Sequence, residues 1–195
     1  MSNISFKVDP AQLEGITKRL DGIAYKSPTV LKNAANTTGK KALAELKEYI
    51  STKYAYQGKD SFTSHIKRKS ATYANPRMII DVKSNMNELI DFDVSHRYAL
   101  AWTDPSSWVS GRVRNDSALT PITKGGFKAF IAEFASGHAS VVTRVGQGRK
   151  IRTVSSPSFT HMATRGWEEN ESEINNLLHK SIDIEIEKIM ERING

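Results

Sequence analysis

The chain has 195 residues, an apolar fraction of 38% and no cysteine, which predicts one domain and excludes disulfides and thiolate metal sites. Its 28 basic and 21 acidic residues give a formal net charge of +7 at pH 7. The start, MSNISFKVDP, lacks the pattern of a signal peptide, and no apolar run approaches the ~20 residues that cross a bilayer. We therefore expect a soluble protein, made in a cytoplasm, that does not contact membranes.

The N-terminal part predicts one strand and two helices. Apolar residues alternate over residues 4–8, as in a half-buried strand. Asp9-Pro10 and Ser27-Pro28 each place proline directly after an N-cap residue, a combination typical of a helix start. The second helix extends to about residue 54, and its apolar stripe consists of Leu31, Ala35, Ala42, Leu46 and Ile50.

Gly39 lies inside this second helix, where glycine costs about 1 kcal/mol relative to alanine. Together with Ala34, Ala35 and Ala42 it offers a surface of small side chains that another element can approach closely. The alternative is that Gly39 is only a weak point in a long helix. The sequence does not decide between the two.

Three short segments in the middle of the chain have the pattern of strands. His65–Ala71 is short and basic, whereas Met78–Val82 and Ile90–Val94 alternate apolar with polar residues. Since the last two runs are joined by a short polar connection, we predict that they pair as an antiparallel hairpin.

The periodicity stops over about residues 95–126, which predicts a long functional or disordered loop. This loop carries Trp102 and Trp108, and two tryptophans in a loop can anchor a partner or fold back on the core of their own domain. Arg112 and Arg114 add positive charge to the same loop, so we include all four residues among the candidate interaction residues.

The most informative stretch follows, at residues 127–159. We predict a central strand over Phe127–Phe134, a partner strand over Ala139–Val145 and a last strand over Ile151–Val154. No acidic residue occurs between Glu133 and Glu168, and this window contains a basic turn. Four candidate interaction residues lie in or beside that turn, Arg144, Arg149, Lys150 and Arg152.

The C-terminal part predicts an amphipathic helix over about residues 170–193, with isoleucine or leucine every three or four residues and an acidic first turn. Residues 161–195 hold four basic and eight acidic side chains, whereas residues 1–160 hold 24 basic and 13 acidic ones. A basic body with an acidic end segment suits pairing with further copies of the chain or binding to nucleic acid, and charge alone leaves both open.

The sequence contains no recognisable catalytic or metal-binding motif. None of the five histidines has a partner at a metal-ligand spacing, and phosphate-loop, nucleophile-elbow and dinucleotide-binding patterns are absent. Asp91 and Asp93 form a close carboxylate pair that a metal nuclease could use, but their alternation with Ile90, Phe92 and Val94 favours a solvent-facing position. We therefore predict a protein that is not an enzyme and has no cofactor and no metal.

A basic surface also fits a DNA-binding accessory protein, which is the alternative function. Lys67, Arg68 and Lys69, together with the basic residues around the turn at 146–149, could neutralise several phosphates. However, no recognition helix accompanies them, and Phe127, Phe130 and Phe134 fit a core better than a surface on which bases stack.

The chain resembles the minor tail protein Z family of phages and prophages, within the tail-completion proteins of long-tailed phages. The resemblance covers most of the chain and rests on the order of moderately specific segments. Its most telling parts are AANTTGKKA in the long helix, FIAEFASGHASVVTRVG, and the SPSF that precedes the last helix. The sequence departs from the family pattern at RKIRTV and in the loop that contains both candidate tryptophans.

The resemblance implies a structural virion subunit that completes the head-proximal end of the tail and supports head–tail joining. Related proteins assemble into rings, commonly sixfold, around a channel for DNA. The implied partners are further copies of the chain, the tail tube or terminator and the neck proteins, with nonspecific contact to DNA in the channel. The expected fold is α+β, an antiparallel sheet flanked by two N-terminal helices and one C-terminal helix.

Overall fold

A computed structural model describes residues 2–6, 10–20, 26–101, 104 and 107–194. The chain divides into two compact units, each assembled from separate stretches of sequence. The helical unit comprises Met1–Lys47, His65–Lys83 and Ala163–Gly195, and the strand unit comprises Glu48–Ser64 and Ser84–Met162. These units are defined by their internal contacts, which do not show whether each unit folds alone. The single domain expected from the sequence therefore stays a prediction.

The helical unit contains α1 (Pro10–Arg19) and most of α2 (Ser27–Lys53) and α3 (Phe159–Asn194). Its core forms where the apolar faces of the three helices meet, which places aliphatic side chains from all three in one cluster. The buried members of this cluster are Ile16, Leu20, Val30, Leu31, Ala34, Leu178, Ile182 and Ile186. The predicted stripe of α2 is confirmed, since all five of its residues are buried.

A three-stranded antiparallel sheet completes the helical unit. β1 (Ser2–Phe6) and β2 (Ile66–Lys69) both pair with β3 (Met78–Val82), which lies between them. Met78 packs against Gly39 of α2, where an added Cβ atom would overlap the Met78 sulfur and lie 2.9 Å from its methyl carbon. The close-approach interpretation of Gly39 is therefore confirmed.

Polar contacts join the helices of this unit. Asn33 of α2 donates to Glu185 of α3 at 2.8 Å, and the Thr38 hydroxyl lies 3.3 Å from that of Ser181 in a buried pair. Burial acts to raise the pKa of Glu185, but its hydrogen bonds with Lys188 and Asn33 outweigh this and hold it below its ordinary value. The ionised carboxylate of Glu185 is therefore favoured in the folded chain.

The strand unit consists of small antiparallel sheets rather than the one sheet that the sequence predicted. β4 (Asn87–Glu88) pairs with a distant strand at 155–156, and β5 (Asp93–Val94) pairs with β6 (Ser110–Arg112), which pairs with β7 (Thr120–Pro121). The remaining strands are β8 (Thr123–Lys124), β9 (Phe127–Lys128), β10 (Phe130–Glu133), β11 (Ala139–Arg144), β12 (Ile151–Thr153) and β13 (Ser155–Ser156). β8 pairs with β9, and β11 lies between β10 and β12. The α+β class is confirmed.

Aromatic side chains contribute to the core of the strand unit. The Tyr56 ring lies 5.4 Å from that of Phe92 and 4.9 Å from that of Phe159, both in edge-on geometry. Phe92 and Phe159 are fully buried, and Phe62 packs against Phe159 at 5.8 Å. This cluster joins the stretch that follows α2 to the start of α3.

The predicted hairpin between residues 78–82 and 90–94 is wrong. β3 pairs with β1 and β2 instead, while Leu89–Asp91 forms a 3-10 turn closed by reciprocal hydrogen bonds between Glu88 and Asp91. Only Asp93–Val94 of the second run forms a strand. The alternation was real, but a capping box interrupts the extended backbone that a strand needs.

The last helix begins earlier than the predicted residue 170. Ser158 caps it, because its side-chain oxygen accepts a hydrogen bond from the backbone N–H of His161 at 3.1 Å. The acidic residues from Glu168 onward consequently lie inside α3 and not in its first turn, where a carboxylate would interact with the helix dipole. Ile193, assigned to the apolar face, is 52% exposed.

The stretch at 95–126 is more ordered than predicted, because β6, β7 and β8 lie within it. Val109 donates to Ala129 and accepts from Ile122, both at 2.9 Å, and Val109 and Ala129 are buried. In the sheet that follows, the central strand is β11 and not the segment at 127–134. Phe134, assigned to the core, is 38% exposed.

Candidate interaction surface

The basic turn connects β11 to β12. It is closed by a hydrogen bond from the Val145 N–H to the Lys150 carbonyl at 2.9 Å, and Gly146 has a φ of 68°, which favours glycine. Arg149 and Lys150 are exposed, and neither forms an ion pair with a described carboxylate. The turn thus presents positive charge to the solvent, as the sequence predicted.

A cavity of about 180 Å³ lies beside this turn. Arg144 and Arg152 contribute to its wall, as predicted interaction residues, and Lys124 contributes a third cation that the sequence analysis did not single out. The remaining lining includes Phe127 and the buried Thr143. The sequence did not predict Lys124 as an interaction residue, because strand pairing, and not sequence proximity, brings it to the cavity.

Arg112 is committed to a contact inside the strand unit. It forms an ion pair with Asp93 across the β5–β6 ladder, with Nε 2.7 Å from Oδ2, and both side chains are about one-third exposed. It also reaches the Asn115 carbonyl at 3.4 Å. This predicted interaction residue therefore serves the fold of the described strand unit.

Arg114 is likewise paired locally. Its guanidinium donates two hydrogen bonds of 3.1 Å to Asp116 and lies 5.9 Å from the ring centre of Tyr54. The hydrogen bond from Arg114 holds the pKa of Asp116 below its ordinary value, and the same bond raises the pKa of Arg114. Arg112 and Arg114 thus differ from the cations at the basic turn.

The structure describes only one of the two candidate tryptophans, Trp108. Trp108 forms an isolated antiparallel bridge with Phe130, and its side chain remains 40% exposed with the Lys128 ammonium 5.6 Å from the ring centre. Its backbone is therefore tied to the strand unit while part of the ring is available to a partner. Trp102 lies outside the described residues.

An acidic segment lies on α3 in the helical unit. Glu168, Glu169, Glu171 and Glu173 are all exposed within less than two helical turns. Glu168 is paired with Arg165 at 3.3 Å, whereas Glu171 and Glu173 form no ion pair with a described base. This segment, 168–173, is the acidic counterpart of the basic turn.

The other basic group, Lys67, Arg68 and Lys69, lies on β2 at an edge of the sheet in the helical unit. All three side chains are exposed. Charged residues on an edge strand discourage pairing with the strands of other chains, which gives these residues a role without any ligand.

A larger cleft of about 650 Å³ lies elsewhere in the strand unit, and sequence reasoning missed it. Its lining includes Tyr56, Asp91, Arg97 and His138. Arg97 donates to the carbonyl oxygens of Ile90 at 2.6 Å and Phe92 at 2.8 Å, which orders this wall. The separation of these residues along the chain hides the cleft from sequence inspection.

Two groups of this cleft have perturbed acidity. Burial, followed by the charges of Asp91 and Asp60, raises the pKa of Tyr56 to about 12. Burial also raises the pKa of Asp91, against the lowering effect of its hydrogen bond from the Glu88 N–H. His138, at the turn between β10 and β11, is exposed, and its Nε2 atom lies 3.0 Å from a carboxylate oxygen of Glu88.

Asp91 and Asp93 do not share a strand face. Asp91 belongs to the 3-10 turn and lines the cleft, whereas Asp93 begins β5 and binds Arg112. Within the described part of the chain, no group of three or more histidine, aspartate or glutamate side chains is placed to hold a metal ion. Nor is any described helix long and apolar enough to cross a membrane.

Comparisons with protein-family models, with curated proteins and with solved structures found no match to the chain. The likeness to tail-completion proteins therefore rests on the sequence segments quoted above.

Proposed function

We propose that the chain is a structural phage protein that completes the head-proximal end of the tail and supports head–tail joining by assembling into a ring. Assembly takes place in the cytoplasm of the bacterial host, and the product is part of the virion. The order of the family-like segments along the sequence suggests this class of protein. Tail tube or terminator proteins and neck proteins are the proposed neighbours.

The main support for ring assembly is the presence of two exposed segments of opposite charge. The basic turn offers Arg149 and Lys150, and the acidic segment of α3 offers Glu171 and Glu173. None of these four side chains forms an ion pair with another described residue. In a head-to-tail ring, the basic turn of one copy binds the acidic segment of the next, and the same contact repeats until the ring closes.

A charge-swap experiment tests this contact. We expect Arg149→Glu/Lys150→Glu and Glu171→Lys/Glu173→Lys each to abolish oligomers in sedimentation velocity and rings in electron microscopy, with purified tail tubes and neck proteins present. In a mixture of the two variants, a ring of alternating chains has the native contact at every second interface and the charge-reversed contact at the others, so assembly should return. The control Lys40→Glu/Lys41→Glu changes two exposed lysines of α2 by the same total charge and should assemble normally.

Wild-type chain that stays monomeric with all neighbours present contradicts the ring. Equal loss of assembly in the α2 control shows that net charge, and not this contact, controls association.

The alternative, a DNA-binding accessory protein, is favoured by the same unpaired cations. It predicts an affinity for duplex DNA that falls steeply with salt and with Arg149→Glu. Unchanged DNA retention in that variant removes the alternative.

A further inference from the structure

The cavity beside the basic turn collects three cations from distant parts of the sequence. Lys124 comes from β8, Arg144 from β11 and Arg152 from β12, and all three line the same space of about 180 Å³. A single water needs only about 10–15 Å³ of such space, so the cavity has room for a small polyatomic ligand.

Strand register fixes this arrangement. Arg152 is paired directly with Thr143 in the β11–β12 ladder, and Lys124 is paired with Phe127 in the β8–β9 ladder. Residues opposite each other in an antiparallel ladder share a face, which places these two pairs on the cavity. Arg144 also borders the cavity, but it follows Thr143 in β11, and its guanidinium carbon lies 5.9 Å from the centre of the Phe130 ring on the other face of this strand. Lys124 and Arg152 are therefore the cations on the cavity face.

No acidic residue balances these cations. Among the described residues, the cavity lining contains no carboxylate, and none of the three cations forms an ion pair. Between Asp116 and Glu168 the sequence has one acidic residue, Glu133, and it does not line the cavity. Like charges near one another repel, and a bound anion would add attractions that offset this repulsion.

The kinds of donor indicate which anion fits. Guanidinium groups match the paired oxygens of phosphate, and a lysine ammonium binds phosphate as a point charge. Thr143, which is 2% exposed, adds a hydroxyl to the lining, and Phe127 and Val145 add apolar contacts at its wall. Such a set favours a compact anion with several oxygens.

We propose that this cavity binds a phosphoryl group, free in solution or within a nucleic-acid backbone. The site is independent of the proposed ring, because the ring contact uses the turn residues Arg149 and Lys150 and requires a second copy. The phosphoryl site lies within one copy of the strand unit.

The experiment measures binding of pyrophosphate and of a short DNA duplex by calorimetry and amide chemical shifts, at protein concentrations where the chain is monomeric. We expect the pair Lys124→Gln/Arg152→Gln to weaken pyrophosphate binding by at least about tenfold, because it removes two charge-assisted contacts. The matched control, Lys67→Gln/Arg68→Gln on β2, removes one lysine and one arginine from a basic strand edge that lines no such cavity. It should stay within about twofold of wild type, because it leaves the lining of the cavity unchanged.

Comparison of the two probes, pyrophosphate and the DNA duplex, identifies the source of the phosphoryl group. Pyrophosphate binding that depends on Lys124 and Arg152 supports a site for free phosphates, and duplex binding alone with the same dependence supports a backbone site. Binding of neither probe, or an equal loss in the β2 control, overturns the proposal. A peptide copying residues 166–174 that binds this cavity more tightly than pyrophosphate also overturns it, since the site would then prefer carboxylates. Thermal unfolding of each variant confirms that the fold is intact.

Discussion

The two units of the chain treat their polar side chains differently. In the helical unit, described polar residues between the helices pair with one another, as Asn33 does with Glu185 and Thr38 with Ser181. In the strand unit, Arg112 and Arg114 are paired, yet the cations around the β11–β12 turn form no ion pair with described residues. Residues of one chemical type thus divide into those that stabilise the fold and those that are available to a partner. Mutations can test that division.

The largest expected effect concerns the packing of the helical unit. Gly39→Ala should destabilise the chain by about 1–3 kcal/mol, because the new methyl group overlaps the buried Met78 side chain. Gly15→Ala is the matched control in α1, where an added Cβ meets no neighbour, so helix propensity should stabilise the chain by about 0.5–1 kcal/mol. Urea unfolding measures both. Stabilisation by both substitutions would mean that Met78 moves aside at little cost.

An intermediate effect on the free energy of unfolding should distinguish an arginine in an ion pair from an exposed arginine of the basic turn. Arg112→Ala should lower the free energy of unfolding by about 1 kcal/mol, since it leaves Asp93 without its partner in a partly exposed pair. Arg149→Ala should change it by less than about 0.5 kcal/mol, because the side chain is exposed and forms no ion pair with a described residue. Chemical denaturation of both variants checks this contrast. Equal losses would show that the basic turn also stabilises the fold.

The smallest expected effect concerns how stability depends on pH, and its sign should be opposite for two aspartates of the strand unit. Burial raises the folded-state pKa of Asp91, so the wild-type chain loses stability as pH rises from the ordinary value of 3.8 through the folded value. Asp91→Asn removes that loss and should raise the melting temperature at pH 7 relative to wild type, but not at pH 3.

Asp116 provides the control of opposite sign. Its hydrogen bond from Arg114 lowers the folded-state pKa, so its stabilisation is present above pH 3.8 and is lost as pH falls through the folded value. Asp116→Asn should therefore lower the melting temperature at pH 7 and leave it unchanged in strong acid. Identical pH profiles for the two variants would contradict the assigned environments.

Sequence predicted the helical unit better than the strand unit, and the physical reason is local periodicity. The stripe from Leu31 to Ile50 records burial every three or four residues, so it identifies a buried helical face without knowledge of the partner. Short strands of two or three residues leave too few alternations to reveal their pairing, and even the clear alternation of β3 does not identify β1 and β2 as its partners.

The candidate site was predictable only in part for the same reason. The acid-free window correctly located Arg149 and Lys150 on an exposed turn. Pairing between β8 and β9 decides that Lys124 joins Arg152 at the cavity, and pairing between β5 and β6 decides that Arg112 meets Asp93. Such partners depend on tertiary structure, which single-sequence patterns do not contain.

The path of the chain has a consequence for synthesis on the ribosome. The helical unit takes Ile16 and Val30 from early sequence but Leu178 and Ile182 from α3, which is translated much later. Its cluster therefore stays incomplete, with apolar faces in need of shielding, while the whole of 84–162 is being made. The strand unit has all of its residues at an earlier moment and can begin to fold first. Nascent-chain arrest before and after α3 would place the two units in order of maturation.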